Sequence, residues 1–166
     1  PHPPLRMHPP NRRGPPVKIC DIVQWYAPLS GGIKRYIQNK SSWFGGSSNH
    51  DHVIVVPSDS DRISTVERCT TYELKSPLLP GSGGYRFFRR LGAVRRVVEA
   101  EKPDIIEAAD PYASLRAGRA AARRLGVPLV CYQHSGFVPT RYLPGRGAWH
   151  DALRRANEAF ERRRHG

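Results

Sequence analysis

Acidic side chains are scarce in this 166-residue chain: 14 Asp and Glu stand against 27 Lys and Arg, for a formal net charge of +13. The acids that exist form no cluster with metal-ligand spacing, so no metal and no cofactor is expected. Cysteine is scarcer still, with 3 residues far apart at Cys20, Cys69 and Cys131. That excludes a disulfide framework and a CxxC metal site, and it favours a reducing compartment. No apolar run approaches the roughly 18 residues of a membrane-spanning helix. No secretory signal is legible at the N-terminus. The sequence has neither GxGxxG nor GxxxxGK[ST], which removes the dinucleotide fingerprint and the P-loop. No Ser–His–Asp or Cys–His set can be assembled from spacing. No RNP-type run of basic and aromatic residues is present, so nucleic acid is not an expected partner.

Proline and glycine are plentiful, at 16 and 15 residues. The prolines crowd residues 1–16, PHPPLRMHPPNRRGPP, which also carry Arg6, Arg12 and Arg13 and no acid. Such a leader cannot build a regular ladder and is expected to stay extended. Residues 17–166 are long enough for one domain, in which about two thirds of the unfolded surface can be buried. The basic excess is spread along this body, through Arg far more than Lys.

Periodicity then assigns elements. VKICDIVQ (17–24) and HVIVVPS (52–58) are β-branched runs typical of strands covered on both faces. Between them, 33–44 places Ile33, Tyr36, Ile37 and Lys40 on one side of a helix, and GGSSNHD (45–51) reads as a loop. Residues 62–75 read as one or two short strands. RFFRRLGAVRRVVEAE (86–101) predicts an amphipathic helix through Phe87, Leu91, Val94 and Val98. DIIEA (104–108) is a strand. Asp110 and Pro111 then mark a helix start, and Gly118, Ala121 and Ala122 form a stripe suited to close packing. VPLVCYQH (127–134) is a strand on which Cys131, like Cys20, reads as a small buried hydrophobe. Residues 147–166 begin a last helix. This alternation predicts an α/β fold, a Rossmann-like, mostly parallel sheet with helices on both faces.

Ligands of such sheets bind beyond the carboxyl ends of the strands. The Gly31-Gly32 pair directly before a helix suits a diphosphate, and equally a tight turn. His134, just past a strand end, suits sugar hydroxyls or proton transfer, and equally its own loop. Asp110 can meet a substrate hydroxyl or simply cap its helix. Asp21, inside the first strand, reads as facing a structural partner.

The runs VKICDIVQWYAPLSGGIKRYI, DHVIVVPSD, KPDIIEAADPYAS and GVPLVCYQHSGF together resemble the N-terminal half of retaining GT-B-fold glycosyltransferases. They are similar to the glycosyltransferase family 4 group, which includes bacterial mannosyl- and lipid-glycosyltransferases. The resemblance spans about residues 17–164. It rests on the combination of the Tyr-x-Pro-x-x-Gly-Gly loop, the Pro-Asp-Ile-Ile strand and the strand ending in Tyr-x-His-Ser. It implies one half of a GT-B fold, the acceptor-side domain. The donor domain, which carries a Glu-x7-Glu motif, is absent from this chain. Gly31 and Gly32 match the loop that approaches the donor diphosphate, and His134 matches a catalytic His near the donor sugar. Tyr26, Asp110 and Tyr112 lie on loops that border the acceptor cleft. Where relatives often carry an acid after His-Ser, this chain has Gly136.

The implied function is hexose transfer from a nucleotide-diphosphate sugar to a glycan or lipid acceptor. This chain by itself would be inactive without the missing domain. A cytoplasmic location follows, with peripheral contact on the inner face of the membrane. The alternative is a non-catalytic basic α/β module that binds a polyanion or an anionic membrane surface.

Overall fold

The computed structural model describes residues 15–27, 31–47, 49–80 and 82–132. The leader through residue 14 and the expected helix over 147–166 lie outside them. In chain order the elements are β1 (Lys18–Ile22), α1 (Gly32–Ser47), β2 (Asp51–Ser58), β3 (Arg62–Val66), β4 (Cys69–Lys75), α2 (Leu91–Glu101), β5 (Ile105–Ala108), α3 (Ala113–Leu125) and β6 (Leu129–Cys131). They build one sheet in the order β3-β4-β2-β1-β5-β6. Every neighbouring pair is parallel except the β3–β4 hairpin. Helices cover both faces, as expected.

Strand alternation divides the core in two. Cys20, Ile22, Val53, Val55 and Ile106 point toward α2 and α3, where they meet Phe88, Val94, Val98, Ala117 and Ala121. Val23, Ile54, Val56 and Ala109 point the other way and pack under α1 at Ile37. The small stripe of α3 lets this helix lie close on the sheet. A Cβ on Gly118 would stand 3.1 Å from Leu129 Cδ1 and 3.3 Å from both Ile106 Cγ2 and Ile22 Cδ1. α3 ends at Gly126, whose φ of 69° is left-handed and whose N–H caps Ala122 O.

Three expectations need correction. The helix expected over 86–101 starts only at Leu91. Residues 86–88 are held extended by other bonds. Phe87 N–H donates to Pro77 O, Phe88 N–H to Gln24 Oε1, and Gln24 Nε2 to Arg86 O. Consequently Phe88, not Phe87, enters the core. The loop expected over 45–51 is helical as far as Ser47. Phe44 anchors that last turn by stacking on His52 at 4.9 Å. Cys131 is exposed on the edge strand β6, whereas Cys20 is fully buried.

Candidate functional site

The chain leaves β1 for β2 and β4 on one side, and reaches β5 and β6 on the other. The topological switch point therefore lies between β1 and β5, and ligands of such sheets bind there, outside the carboxyl ends of the strands. Four of the six sequence-derived candidates flank it directly. Gly31 and Gly32 open α1, and Asp110 and Tyr112 lead into α3.

Both glycines are exposed, and a Cβ at either would meet nothing within 4 Å among the described residues. Neither has the positive φ that demands glycine. The first turn of α1 forms regularly, with Arg35 N–H bonded to Gly31 O at 3.1 Å, and it carries no acid. Its N-terminal amides thus present partial positive charge with no carboxylate of that turn against it.

Asp110 is 2% exposed and works as a cap. Its Oδ1 accepts the N–H of Tyr112 at 2.8 Å and of Ser114 at 3.3 Å, and its Oδ2 accepts the Ser114 hydroxyl. Burial pushes its carboxyl above the ordinary value, while the bonds from Ser114, Tyr112 and Ala113 pull it back. Ser114 Oγ also accepts Gln24 N–H at 3.2 Å. Gln24 then reaches the 86–88 segment, and Arg86 donates to Ser76 O at 2.7 Å. One buried chain of bonds therefore ties the loops after β1 and β5 to the segment before α2. Gln24 and Ser114 were not singled out from the sequence as site residues, because the bonds that Gln24 makes to Ser114 and Arg86 span 90 and 62 positions.

Tyr26 sits on the other face. It packs against the Val23, Ile37 and Ile54 cluster and lines a groove of about 450 Å³ between α1 and the β3–β4 hairpin. Burial, helped by the Glu73 carboxylate, pushes its phenol up. The structure therefore does not bring Tyr26 together with Asp110: Tyr26 packs under α1, and Asp110 bonds to Ser114 of α3. His134 lies outside the described residues, two positions beyond Tyr132.

Beneath α1 lies a buried ionic cluster. Asp21 and Glu107 are register partners on β1 and β5. Lys40 Nζ donates to Asp21 Oδ1 at 2.8 Å and to Glu107 Oε2 at 3.0 Å. Asp21 Oδ2 meets His52 Nε2 at 2.7 Å. Asp21 faces structural partners, as expected. Burial alone would lower the Lys40 ammonium, but the two carboxylates outweigh it and hold it above its ordinary value. Lys40 had a sequence signal: it falls on the apolar side of α1, one turn after Tyr36 and Ile37. Among the described residues no group of His, Cys, Asp and Glu is arranged to hold a metal ion, and no helix is long and apolar enough to cross a membrane.

Comparison with known proteins agrees with this architecture. Two relatives from strains of Mycobacterium tuberculosis, each described as a GDP-mannose-dependent alpha-(1-6)-phosphatidylinositol dimannoside mannosyltransferase, are 27% identical over 134 residues. The match covers 80% of this chain but 35% of theirs, so the chain spans about a third of their length. Residues 30–165 match the description Glycosyltransferase Family 4, a span that starts at the glycine loop and takes in α1 through β6. This chain belongs to Glycosyltransferase Family 4.

Proposed function

We propose that the chain forms the acceptor-side half of a GT-B glycosyltransferase. The enzyme would move a hexose from a nucleotide-diphosphate sugar to a glycan or lipid acceptor. GDP-mannose is the first donor to test, since the relatives are described as dependent on it. In the reaction, the anomeric carbon exchanges its bond to the diphosphate for a bond to an acceptor hydroxyl. The amides at Gly31 and Gly32 would stabilise charge on the departing diphosphate, as preorganised dipoles do. His134 would orient the donor sugar, and Tyr26, Asp110 and Tyr112 would border the acceptor. The donor-side domain would come from sequence outside this chain, without which transfer is not expected.

One observation carries the reading. Among the described residues nothing crowds Gly31 or Gly32, and neither backbone needs glycine. Their bare backbones therefore serve access from outside rather than internal packing. The exposed Arg96, Arg119 and Arg123 on α2 and α3 support peripheral contact with an anionic membrane face, where a lipid acceptor would lie. The experiment is mannosyl transfer from GDP-mannose by the complete gene product, run beside His134→Ala. The reading predicts transfer that His134→Ala impairs. Transfer that is unchanged by this substitution would remove His134 from the site, and absence of transfer from any nucleotide-diphosphate sugar would overturn the whole reading.

A further inference from the structure

The groove that Tyr26 lines has α1 for one wall and the β3–β4 hairpin for the other. It runs along the sheet. Cys69, which lines it at the start of β4, is the register partner of His52 near the amino end of β2. Tyr26 follows the carboxyl end of β1. One end of the groove therefore reaches the edge of the sheet where ligands of this architecture bind. Its volume of about 450 Å³ falls within the range of small-molecule sites, roughly 300–1,000 Å³.

The lining is chemically selective. A quarter of the chain's residues are charged, with a net charge of +13, yet among the described residues that line the groove none is Lys, Arg, Asp or Glu. The floor is apolar, from the buried Ile37 and Ile54. The walls offer amide and hydroxyl groups: Gln38 and Ser42 on α1, Ser64 on β3 and Thr71 on β4. Ser64 and Thr71 stand directly opposite each other across the hairpin. On the other face of the hairpin the neighbouring pair, Thr65 and Thr70, joins its hydroxyls at 3.2 Å. The side chains of Ser64, Thr71 and Gln38 make no hydrogen bond among the described residues. Ser42 turns its hydrogen back to Gln38 O at 3.0 Å, which leaves its oxygen to accept from outside.

These groups decide between ligand classes. An anion finds no cation among them. An alkyl chain would cover the hydroxyls and the amide and leave them without partners, which is costly. A pyranose ring suits both surfaces. Its C–H face lies on apolar carbon, and its rim of hydroxyls both donates and accepts.

We propose that this groove binds an uncharged sugar segment of the acceptor, held in part by Ser64 and Thr71. The inference rests on the reading of the chain as the acceptor-side half, and it narrows the acceptor to one that carries a glycan. In a lipid-borne acceptor, the sugars and not the tail would lie here.

Amide NMR titration of the chain with mannotriose and with maltotriose, both uncharged, tests this. Shifts are expected at Gln38, Ser42, Ser64 and Thr71 with at least one of the two sugars, and moderate salt leaves them in place. Thr71→Val removes one hydroxyl from a strand position that suits Val and raises Kd roughly 2–10-fold. Ser64→Trp, at an exposed edge-strand position that tolerates an aromatic ring, fills the groove and abolishes the shifts at Gln38 and Thr71. The ring signal of His52, fully buried beside Asp21, reports that each variant is folded, and should either fail to fold the other decides. Absence of groove shifts with both sugars overturns the proposal. So do groove shifts that persist unchanged in the folded variants. Groove shifts that appear only with inorganic diphosphate, or only with dihexanoylphosphatidylcholine, also overturn it and assign the groove to an anion or an alkyl chain. Absence of transfer by the complete gene product would defeat the function proposed above and leave the groove to be decided by the titration.

Discussion

Replacing Gly32 by Ala should push stability and function in opposite directions. Gly32 is the first residue of α1, has no left-handed φ and, among the described residues, has no neighbour where a Cβ would go. Alanine there restricts the unfolded chain and suits the helix, for a gain of about 0.4–1 kcal/mol. For a chain of this length that corresponds to a rise in Tm of about 1–4 °C. The same methyl group occupies the space through which a diphosphate would reach the amides. Losing even one preorganised donor of that kind costs roughly 10²-fold in rate. Thermal denaturation of the chain and mannosyl transfer by the complete gene product, each with and without Gly32→Ala, measure the two sides. A fall in Tm would mean that Gly32 is needed by the fold, and the argument from its empty surroundings would be wrong. A stabilised variant with full transfer would remove the diphosphate from this loop.

Other outcomes follow from the packing. Lys40→Met leaves Asp21 and Glu107 without their shared cation and should destabilise the chain by about 3 kcal/mol, read as a drop in the urea midpoint. Adding Asp21→Asn should recover part of that loss, which a double-mutant cycle would show. Gly118→Ala should be close to neutral, because helix propensity offsets slight crowding, while Gly118→Val forces Leu129, Ile106 and Ile22 apart and should cost about 2 kcal/mol. Glu101 gives an acid limb to stability. Burial raises its carboxyl, but the Tyr72 hydroxyl and the Lys18 ammonium outweigh burial and hold it below the ordinary value of 4.5. A depressed carboxyl stabilises above that ordinary value, and the contribution is lost as pH falls through the folded value. Tyr72→Phe should therefore shallow the acid limb in denaturation measured against pH. It also removes a phenol that its bond to Glu101 holds up at about 12.

What the sequence revealed was mostly local. β2 is legible because Val53, Ile54, Val55 and Val56 feed both faces of the sheet at once. α3 is legible because Gly126 ends it and Asp110 starts it within the same short window. The start of α2 was misplaced because Phe87 fits the helical period. The bonds that hold Phe88 and Arg86 extended come from Gln24, more than 60 positions earlier. The site divides in the same way. Gly31, Gly32 and Asp110 stand out by residue type next to an element boundary. Gln24 and Ser114 do not, since their importance lies in partners brought together only by sheet order. Lys40 is intermediate: a lysine on an apolar helix face needs a buried carboxylate, and Asp21 inside a strand needs a cation, yet only the fold pairs them.

The central claim is that a sugar nucleotide meets this chain at the carboxyl ends of β1 and β5. The most direct measurement is an amide NMR titration of the chain with GDP-mannose at millimolar concentration. The account predicts shifts concentrated at Gly31, Gly32 and residues 109–114, changed little by moderate salt. Shifts confined to the arginines of α2 and α3, and abolished by moderate salt, would contradict it and favour a basic module for polyanions.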